Sequence, residues 1–265
     1  MAGGNSMEEQ ARECIRFIEE AKSIAVLTGA GISTNAGVPD FRGPKGLYVT
    51  KQYDPDTVFN IGYFMENPKP FYDFTRDYIN LEKNVKPTFT HYFLKDMEEA
   101  GKLKGVITQN IDALHTRAGS KNVLEVHGSY WKSYCLDCRD EFSYETMKEK
   151  IFEEDIPRCG CGGVIKPDVV FFGEDVKDLN RAFALAEQSD LFFVIGTSCA
   201  VYPAAMIPTL CRGKIIVVNG NKVPLDKGDV VLSVQSDIDE FFKKVTSCLN
   251  LKKSNSNDKK ISKIQ

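Results

Sequence analysis

The stretch IAVLTGAGIS, residues 24–33, decides the fold. Its first five residues, Ile24 to Thr28, form a short apolar run that is typical of a buried strand. A glycine-rich turn, Gly29 to Gly31, follows and leads into a predicted helix. Glycine lets the backbone approach a pyrophosphate closely, and the start of a helix favours negative charge. The stretch therefore predicts a nucleotide-binding turn at the end of a strand.

The turn departs from the G-x-G-x-x-G pattern of dehydrogenases. The third glycine would fall at Thr34, and Gly37 comes too late. Asp54 and Asp56 follow further on, but no predicted strand would present either carboxylate to a ribose. The sequence favours nucleotide binding and does not support hydride transfer.

Further short apolar runs repeat the strand pattern and alternate with helical periodicity. The predicted strands are 105–108, 123–126, 169–172, 191–195, 215–218 and 230–234, and the clearest helices are 7–21, 91–100 and 179–188. Short strands that alternate with helices predict βαβ units. We therefore expect an α/β fold with a parallel sheet.

Four segments interrupt this alternation or lie outside it. Residues 1–6 are small and polar, and residues 250–265 are polar and lysine-rich, so both ends are predicted to be disordered. Residues 44–87 are rich in Tyr, Phe and Pro and predict a helical insertion. Residues 130–166 carry two cysteine pairs and predict a small inserted module. The whole of 7–249 is then one catalytic domain with these two additions.

Charge and hydropathy exclude several classes of protein. The chain has 34 Lys and Arg against 37 Asp and Glu, a net charge of -3, so no strong field attracts nucleic acid or an anionic membrane. We see no signal peptide, and the apolar runs are too short to span a bilayer. The expected location is the cytoplasm or the nucleus, where thiols stay reduced.

A longer run, GAGISTNAGVPDFRG at 29–43, resembles the sirtuin (Sir2) family of NAD-dependent protein deacylases. The resemblance covers about residues 10–245 and continues through TQNID (108–112), HG (127–128), KPDVVFFGE (166–174), GTS (196–198) and Asn219. It implies a Rossmann-like parallel sheet with helices on both faces. It also implies a small inserted zinc-binding module and a helical insertion.

The paired cysteines are explained by that module. Disulfides are a poor explanation where thiols stay reduced, and zinc is a good one. The ligands would be Cys135, Cys138, Cys159 and Cys161. Four thiolates leave no open position for water, so one structural zinc is expected. The second pair is C-x-C, not the commoner C-x-x-C, but the neighbouring glycines relax the backbone. Reduced thiols without metal are the alternative.

The resemblance implies catalytic roles for His127, Asn110 and Asp112. His127 follows a predicted strand, at the end where open α/β sheets bind ligands, and a histidine pKa suits a general base. Asp112 is assigned to the nicotinamide carboxamide, and Asn110 to ribose and ordered water. Alone, this Asn-x-Asp would more often be a turn or helix cap. His91 is interpreted as a surface or packing residue, and His115 as a structural residue or one that supports the ligand-contacting residues.

Other NAD contacts are implied along the glycine-rich run and after three later strands. They are Gly29, Ala30, Gly31, Ser33, Ala36, Asp40, Phe41, Arg42, Gln109, Ile111, Gly196, Thr197, Ser198, Asn219, Gly220 and Asp237. Phe41 would cover the reacting carbon and exclude water. For Arg42, a surface ion pair is the alternative.

The substrate is expected to bind as an extended peptide, paired by its backbone between two loops. The implied contacts are Val170, Phe172, Gly173, Glu174, Val201 and Tyr202. Strand alternation places Val169 and Phe171 in the core, on the face opposite to Val170 and Phe172.

The implied activity removes an acyl group from lysine, with NAD as co-substrate, and yields free lysine, nicotinamide and O-acyl-ADP-ribose. The partners would be acylated proteins or peptides, histone tails among them. The stretch GPKGLYVT, 43–50, has no arginine to bind an acidic acyl group, so an uncharged acyl group is favoured, although Lys45 is present. Two alternatives stay open: a protein mono-ADP-ribosyltransferase on the same scaffold, and a non-catalytic module that binds NAD metabolites.

Overall fold

The computed structural model describes residues 6–38, 53–82, 85–225 and 229–261. The strands are β1 (Ile24–Thr28), β2 (Leu103–Thr108), β3 (Val123–Glu125), β4 (Gly128–Cys135), β5 (Glu141–Ser143), β6 (Ile165–Val169), β7 (Leu191–Ile195), β8 (Lys214–Asn219) and β9 (Val230–Gln235). The α-helices are α1 (Met7–Glu20), α2 (Pro55–Val58), α3 (Ile61–Glu66), α4 (Lys69–Glu82), α5 (Phe89–Glu99), α6 (Leu114–Ala118), α7 (Tyr144–Glu153), α8 (Leu179–Glu187) and α9 (Ile238–Ile261). Two 3₁₀ helices span Ala30–Ala36 and Ala204–Leu210. None of the helices in the described ranges has the length and apolarity needed to cross a bilayer.

The main sheet has six strands, all parallel, in the order β3-β2-β1-β7-β8-β9. The chain first adds strands on one side of β1 and then crosses to the other side, so the order reverses between β1 and β7. Open α/β sheets bind ligands at the carboxyl ends of the strands beside such a reversal. The α/β prediction is confirmed, and the topology marks the carboxyl edge beside β1 and β7 as the candidate binding edge of the sheet.

The side chains of β1 alternate between two hydrophobic layers. Val26 packs in the layer that contains Ile15 of α1 and Phe241 of α9, and Leu27 packs in the layer that contains Ala182 of α8. Both faces of the sheet are therefore covered by helices. All five residues of β1 are buried for this reason, which explains why the strand is a continuous apolar run.

A second sheet, antiparallel in the order β5-β4-β6, occupies the region predicted as an inserted module. Helices α2 to α4 pack beside it through an aromatic cluster: Phe59, Phe64, Phe71, Tyr72, Phe74, Tyr78, Tyr130 and Phe171. Arg76 of α4 donates hydrogen bonds to the carbonyl oxygens of Ile151 at 2.7 Å and Glu154 at 2.6 Å. These carbonyls belong to the end of α7, so a cation neutralises the negative end of that helix and joins the insertion to the module.

Three predictions differ from the structure. Residues 169–172 are not a strand of the parallel sheet, because β6 ends at Val169 and belongs to the small sheet. A short apolar run does not specify which sheet it joins. Ser6, predicted to be disordered, caps α1 by accepting a hydrogen bond from Glu9 N. Helix α9 continues to Ile261, through part of the segment predicted to be disordered, since adding residues to an existing helix costs little.

The loops after β1 and β7 touch backbone to backbone. Gly31 N donates to Gly196 O at 2.8 Å. A Cβ atom on Gly31 would lie 2.8 Å from Gly196 Cα, and one on Gly29 would lie 2.7 Å from Thr197 Cβ. Gly196 also has a left-handed backbone, with φ of 65°. Glycine is needed at these positions because any side chain would push the two loops apart.

We expect Gly196→Ala to lower the free energy of unfolding by about 2 kcal/mol or more, because it combines left-handed strain with overpacking. Gly37→Ala is the matched control, since Gly37 also has a positive φ, of 89°, but no atom of the described residues lies within 4 Å of its added Cβ. The control should lose only the backbone contribution, about 1–2 kcal/mol. Urea denaturation of both variants measures the difference, and equal losses would contradict the steric explanation.

Candidate active site

His127 lies between β3 and β4, where the chain leaves the parallel sheet and enters the small one. Its Nδ1 atom lies 3.0 Å from the carbonyl oxygen of Gln109. A carbonyl oxygen can only accept a hydrogen bond, so Nδ1 carries the ring proton and Nε2 keeps its lone pair. A neutral imidazole with a free Nε2 is what a general base requires.

Burial lowers the pKa of His127 from its ordinary value of 6.5, and the hydrogen bond to Gln109 opposes this effect without reversing it. The ring is therefore predominantly neutral at pH 7. The side chain is only half-buried, so a substrate can still reach it.

Asp112 and Asn110 belong to a buried polar cluster that joins the loops after β1 and β2. Ser33 Oγ donates to Asp112 Oδ2 at 2.6 Å, and Leu114 N donates to Asp112 Oδ1 at 2.9 Å. Asn110 Nδ2 donates to Gly29 O at 3.2 Å. These bonds fix the orientation of one carboxylate and one amide beside the glycine-rich turn.

Burial raises the pKa of the Asp112 carboxyl group, and the hydrogen bond from Ser33 acts in the opposite direction. A buried carboxyl group with a raised pKa, next to a cleft, is common at functional sites. The side chains of Ser33, Asn110 and Asp112 are all buried. The cluster is thus held in place by hydrogen bonds within the chain.

Gln109 connects the ends of β2 and β7, the two strands that flank β1. Its Nε2 donates to Thr197 Oγ1 at 2.9 Å, while its carbonyl oxygen faces His127. Around these residues, the half-buried Ala30, Gly31, Ala36 and Ile111 and the exposed Ser198 complete the central part of the predicted NAD set. The structure therefore brings together the residues that the sequence predicts after β1, β2, β3 and β7.

Three predicted NAD contacts lie further along the sheet edge, after β8 and β9. Asn219 Nδ2 donates to Asn221 O at 2.8 Å, and Gly220 is exposed. Both carboxylate oxygens of Asp237 accept hydrogen bonds from Asn35 Nδ2, at 3.1 and 2.9 Å. Asp237 Oδ1 also accepts from Glu240 N at the start of α9. This carboxylate therefore joins α9 to the first 3₁₀ helix, and its contact with NAD stays a prediction.

Several predicted residues lie outside the described residues. They are Asp40, Phe41 and Arg42, together with the stretch 43–50 on which the acyl-group prediction depends.

The predicted substrate segment forms a turn after β6. Val170 N donates to His127 O at 2.8 Å, so the segment starts directly against the catalytic candidate. Phe172 N donates to Phe59 O at 2.6 Å, and Phe172 O accepts from Ile61 N at 3.1 Å. The backbone of Phe172 is thus paired inside the chain. Its side chain is 42% exposed, whereas Phe171 is buried, as the alternation predicts.

Glu174 has an internal role that the sequence prediction did not foresee. Its Oε2 accepts hydrogen bonds from Phe171 N and Lys166 Nζ, both at 2.8 Å. Lys166 Nζ also donates to Val169 O at 2.7 Å. Burial lowers the pKa of Lys166, and the pairing with Glu174 opposes that shift. The Glu174 carboxylate therefore stabilises the turn from inside, and any contact with substrate stays a prediction.

An open cleft adjoins this turn. It has a volume of about 550 Å³ and is lined by residues of the segment 174–181 and by Pro203. The two remaining substrate candidates precede Pro203: Val201 is half-buried and Tyr202 is 74% exposed. The lining thus includes Glu174, the last residue of the turn, and Pro203, which directly follows these two residues.

Four cysteines converge at one end of the small sheet. The Sγ atoms of Cys135, Cys138, Cys159 and Cys161 all lie within 4.8 Å of one another, and two of the pairs are 3.5 Å apart. Two thiolates on one tetrahedral zinc lie about 3.8 Å apart. A Cβ on Gly163 would lie 2.7 Å from Cys135 Sγ, so glycine is required there. The cluster fits one structural zinc, despite the short C-x-C spacing.

A family model described as the Sir2 family matches residues 29–203. The matched span contains the glycine-rich turn, Asn110, Asp112, His127 and the four cysteines. The chain belongs to the Sir2 family.

Curated relatives named NAD-dependent protein deacetylases match most of the chain. The NAD-dependent protein deacetylase of Sulfurisphaera tokodaii is 45% identical over 220 residues, which cover 81% of this chain and 86% of the relative. The NAD-dependent protein deacetylase of Thermotoga maritima is 40% identical over 241 residues, which cover 88% of this chain and 96% of the relative.

Solved Sir2 structures match in three dimensions. A Sir2 complex with a p53 peptide and NAD⁺ superimposes with a TM-score of 0.83 at 37% identity, covering 91% of this chain and 98% of that one. A Sir2 variant with a deacetylated p53 peptide and 3′-O-acetyl ADP ribose has a TM-score of 0.84 at 39% identity, covering 89% and 97%. The Sir2 fold implied by the sequence motifs is therefore confirmed.

Sequence reasoning about this Sir2 chain missed several residues that support the site. Thr28, His91 and Lys166 are buried and hydrogen-bonded next to it. His91, for which a surface position was one interpretation, is fully buried. The partner of Thr28 is His115, 87 residues away, so no local spacing identifies that contact. His91 and Lys166 bond to nearby residues, but nothing in the local pattern marks their side chains as buried.

Proposed function

We propose that this chain is an NAD-dependent protein-lysine deacylase that transfers the acyl group of a lysine to ADP-ribose and releases nicotinamide. The observation that carries the proposal is the geometry of His127. Its Nδ1 proton is directed at Gln109 O, its Nε2 is left as a base, and the substrate turn starts against its own carbonyl group. The names of the relatives, NAD-dependent protein deacetylases, support the same activity.

The residues beside His127 fit NAD as the co-substrate. NAD supplies a glycosidic bond to nicotinamide, and breaking that bond provides the carbon that accepts the acyl oxygen. Asp112 offers a buried carboxylate for a carboxamide N–H, and Asn110 offers an amide for ribose hydroxyls. The glycine contact between Gly31 and Gly196 brings two backbones close together, as a bound pyrophosphate needs. The carboxylate, the amide and the glycine backbone thus match the carboxamide, the ribose and the pyrophosphate of NAD.

His127 would remove a proton from a ribose hydroxyl at Nε2. The imidazolium that results keeps its Nδ1 proton on Gln109 O, so the carbonyl dipole stabilises the positive charge. The zinc at Cys135, Cys138, Cys159 and Cys161 would take no part in this step, because four thiolates close its coordination shell. Its role would be to hold the small sheet together.

The substrate would be an acylated lysine in an extended peptide that binds along the turn at 170–174 and the cleft beside it. An uncharged acyl group, such as acetyl or a longer fatty chain, is the preferred cargo, and histone tails are among the candidate partners. The exposed Phe172 and Tyr202 supply apolar surface for the peptide.

The test uses purified protein, NAD and a panel of peptides that carry acetyl, fatty-acyl, succinyl or malonyl lysine, followed by mass spectrometry. We expect NAD-dependent loss of an uncharged acyl group, with one nicotinamide and one O-acyl-ADP-ribose formed for each lysine released. Transfer of ADP-ribose to protein without deacylation would overturn the proposal. So would a folded, zinc-loaded protein that leaves every peptide unchanged.

Glu174→Gln should raise the KM for the acetylated peptide by about tenfold, because the charge-assisted bond to Lys166 that stabilises the turn is weakened. The kcat should change much less, since Glu174 does not contact the reacting atoms. Glu187→Gln is the control, because it removes an exposed carboxylate at the end of α8, outside the lining of the cleft. Steady-state kinetics with varied peptide measures both constants, and equal effects of the two substitutions would contradict an internal role for Glu174.

A further inference from the structure

Two histidines outside the catalytic cluster lie against each other in the protein interior. His91 on α5 and His115 on α6 are 0% and 1% exposed, and their ring centroids are 4.6 Å apart. Buried histidines are costly unless their nitrogens are hydrogen-bonded. The contacts of this histidine pair therefore need an explanation.

One nitrogen of each ring is linked to one end of the glycine-rich turn, directly for His115 and through Thr88 for His91. His115 Nε2 lies 2.9 Å from the hydroxyl of Thr28, the residue directly before Gly29. His91 Nδ1 accepts from Thr88 N at 3.2 Å and lies 2.8 Å from Thr88 Oγ1. Thr88 Oγ1 in turn lies 3.2 Å from Ile32 O, at the other end of the turn. The histidine pair is thus linked to the residues on both sides of the turn, Thr28 and Ile32.

The other two nitrogens, His91 Nε2 and His115 Nδ1, can form a donor and acceptor pair. His91 Nδ1 accepts a backbone N–H, so it carries no proton, and the proton of the neutral ring must be on Nε2. His91 Nε2 and His115 Nδ1 are both buried without a hydrogen-bond partner among the described residues. If His115 donates from Nε2 to Thr28, its Nδ1 is an acceptor, and its ring centroid lies 4.6 Å from that of His91, whose Nε2 is a donor. A small ring rotation or one buried water would join them.

Both rings are expected to be neutral at pH 7. Burial lowers the pKa of His91 to about 4 and holds the pKa of His115 well below its ordinary value. Asp239 is the acidic group that acts on His91 from α9. Its carboxylate already accepts hydrogen bonds from Thr90 N at 3.0 Å and Thr90 Oγ1 at 2.6 Å. This carboxylate is satisfied without a histidinium partner.

We propose that His91 and His115 form a neutral, hydrogen-bonded pair that positions the glycine-rich turn for NAD. The inference rests on the proposed function and adds two positioning residues to it. The pair would hold the Thr28 hydroxyl directly through His115. It would hold the Ile32 carbonyl through Thr88, whose backbone N–H is bonded to His91 and whose hydroxyl donates to Ile32 O. A turn that is fixed before binding loses less conformational entropy when the dinucleotide binds.

The first test is the protonation state of the intact protein, measured by ¹⁵N histidine NMR. We expect both rings to be neutral between pH 6 and 8 and to carry their protons on Nε2. A charged ring, or a proton on Nδ1 of either residue, would overturn the proposal. This measurement needs no substitution and no catalytic activity.

The second test compares variants by calorimetric titration with NAD and by thermal unfolding. His91→Leu and His115→Leu should each raise the Kd for NAD by about tenfold, through loss of the bond that fixes the turn. His91→Asn can replace the Nδ1 acceptor and His115→Gln the Nε2 donor, so these variants should recover most of the affinity. Leucine variants that lose thermal stability but bind NAD like the wild type would overturn the proposal.

The proposed function is tested separately. If the wild-type protein binds NAD but shows no deacylation, the function fails while the positioning role still stands or falls on these affinities. Wild-type protein that does not bind NAD would sink both.

Discussion

Replacing His127 with alanine should reduce NAD-dependent deacylation by at least about 10²-fold, the usual contribution of a positioned general base. The Nε2 lone pair would be lost, and no described residue beside Asn110 and Asp112 offers a second imidazole, since His91 and His115 are buried behind the turn. Binding of NAD should survive, because the buried cluster of Ser33, Asn110 and Asp112 is held by its own bonds.

His127→Asn is the matched variant. Its side-chain amide can still donate to Gln109 O near the position of Nδ1, but it has no basic nitrogen at the position of Nε2. Both variants should therefore be folded and equally inactive in a single-turnover assay. An asparagine variant that keeps more than about a tenth of the wild-type rate would show that His127 orients the site without acting as the base.

The pH profile follows from the same residue. The base must be neutral, and burial places the pKa of His127 below 6.5. The kcat/KM should thus be constant through pH 7 and fall only on acidification through that lowered pKa. A midpoint above 6.5 in the wild type would contradict the assignment of the acidic limb to His127.

Removing one zinc ligand should have the largest effect on stability. A structural zinc contributes about 10–16 kcal/mol in isolated zinc-finger peptides, and Cys159→Ser takes one of the four thiolates from the cluster. We expect loss of bound zinc, a much lower melting temperature and loss of deacylation. The effect should reach the active site because β4 starts at Gly128, next to His127, and β6 leads directly into the substrate turn.

Cys14→Ala is the control for that experiment. It removes a buried thiol from α1, far from the cluster in the chain, and should cost about 1 kcal/mol. Zinc content by mass spectrometry and activity should match the wild type. A Cys159→Ser protein that keeps its zinc and its melting temperature would contradict the four-cysteine assignment.

The parts of the fold that depend on local pattern could be predicted from the sequence. β1 and β7 are apolar runs because helices cover both of their faces, and this burial is visible in composition. The cysteine cluster could also be predicted, since the two cysteines of each pair are only two or three positions apart in the sequence. Short sequence distances fix such geometry almost independently of the rest of the protein.

The parts that depend on distant contacts could not be predicted. The run at 169–172 has strand composition, but its first residue pairs with Gly128 in the small sheet and the rest turns away toward Phe59. Glu174 has the motif position of a substrate contact, but Lys166 and the Phe171 amide occupy its carboxylate. The partners of 169–172 lie far along the chain, whereas those of Glu174 are three and eight residues away. In both cases, periodicity does not record which polar group a residue will meet.

The position of His127 has a mechanical consequence. It lies at the junction of the two sheets, and its own carbonyl group accepts a hydrogen bond from Val170, where the second strand of the junction ends. Any rotation of the small sheet relative to the large one would have its axis near His127 and Val170. Atoms near a rotation axis move least, so the imidazole would keep its position while the zinc cluster and the peptide turn are displaced.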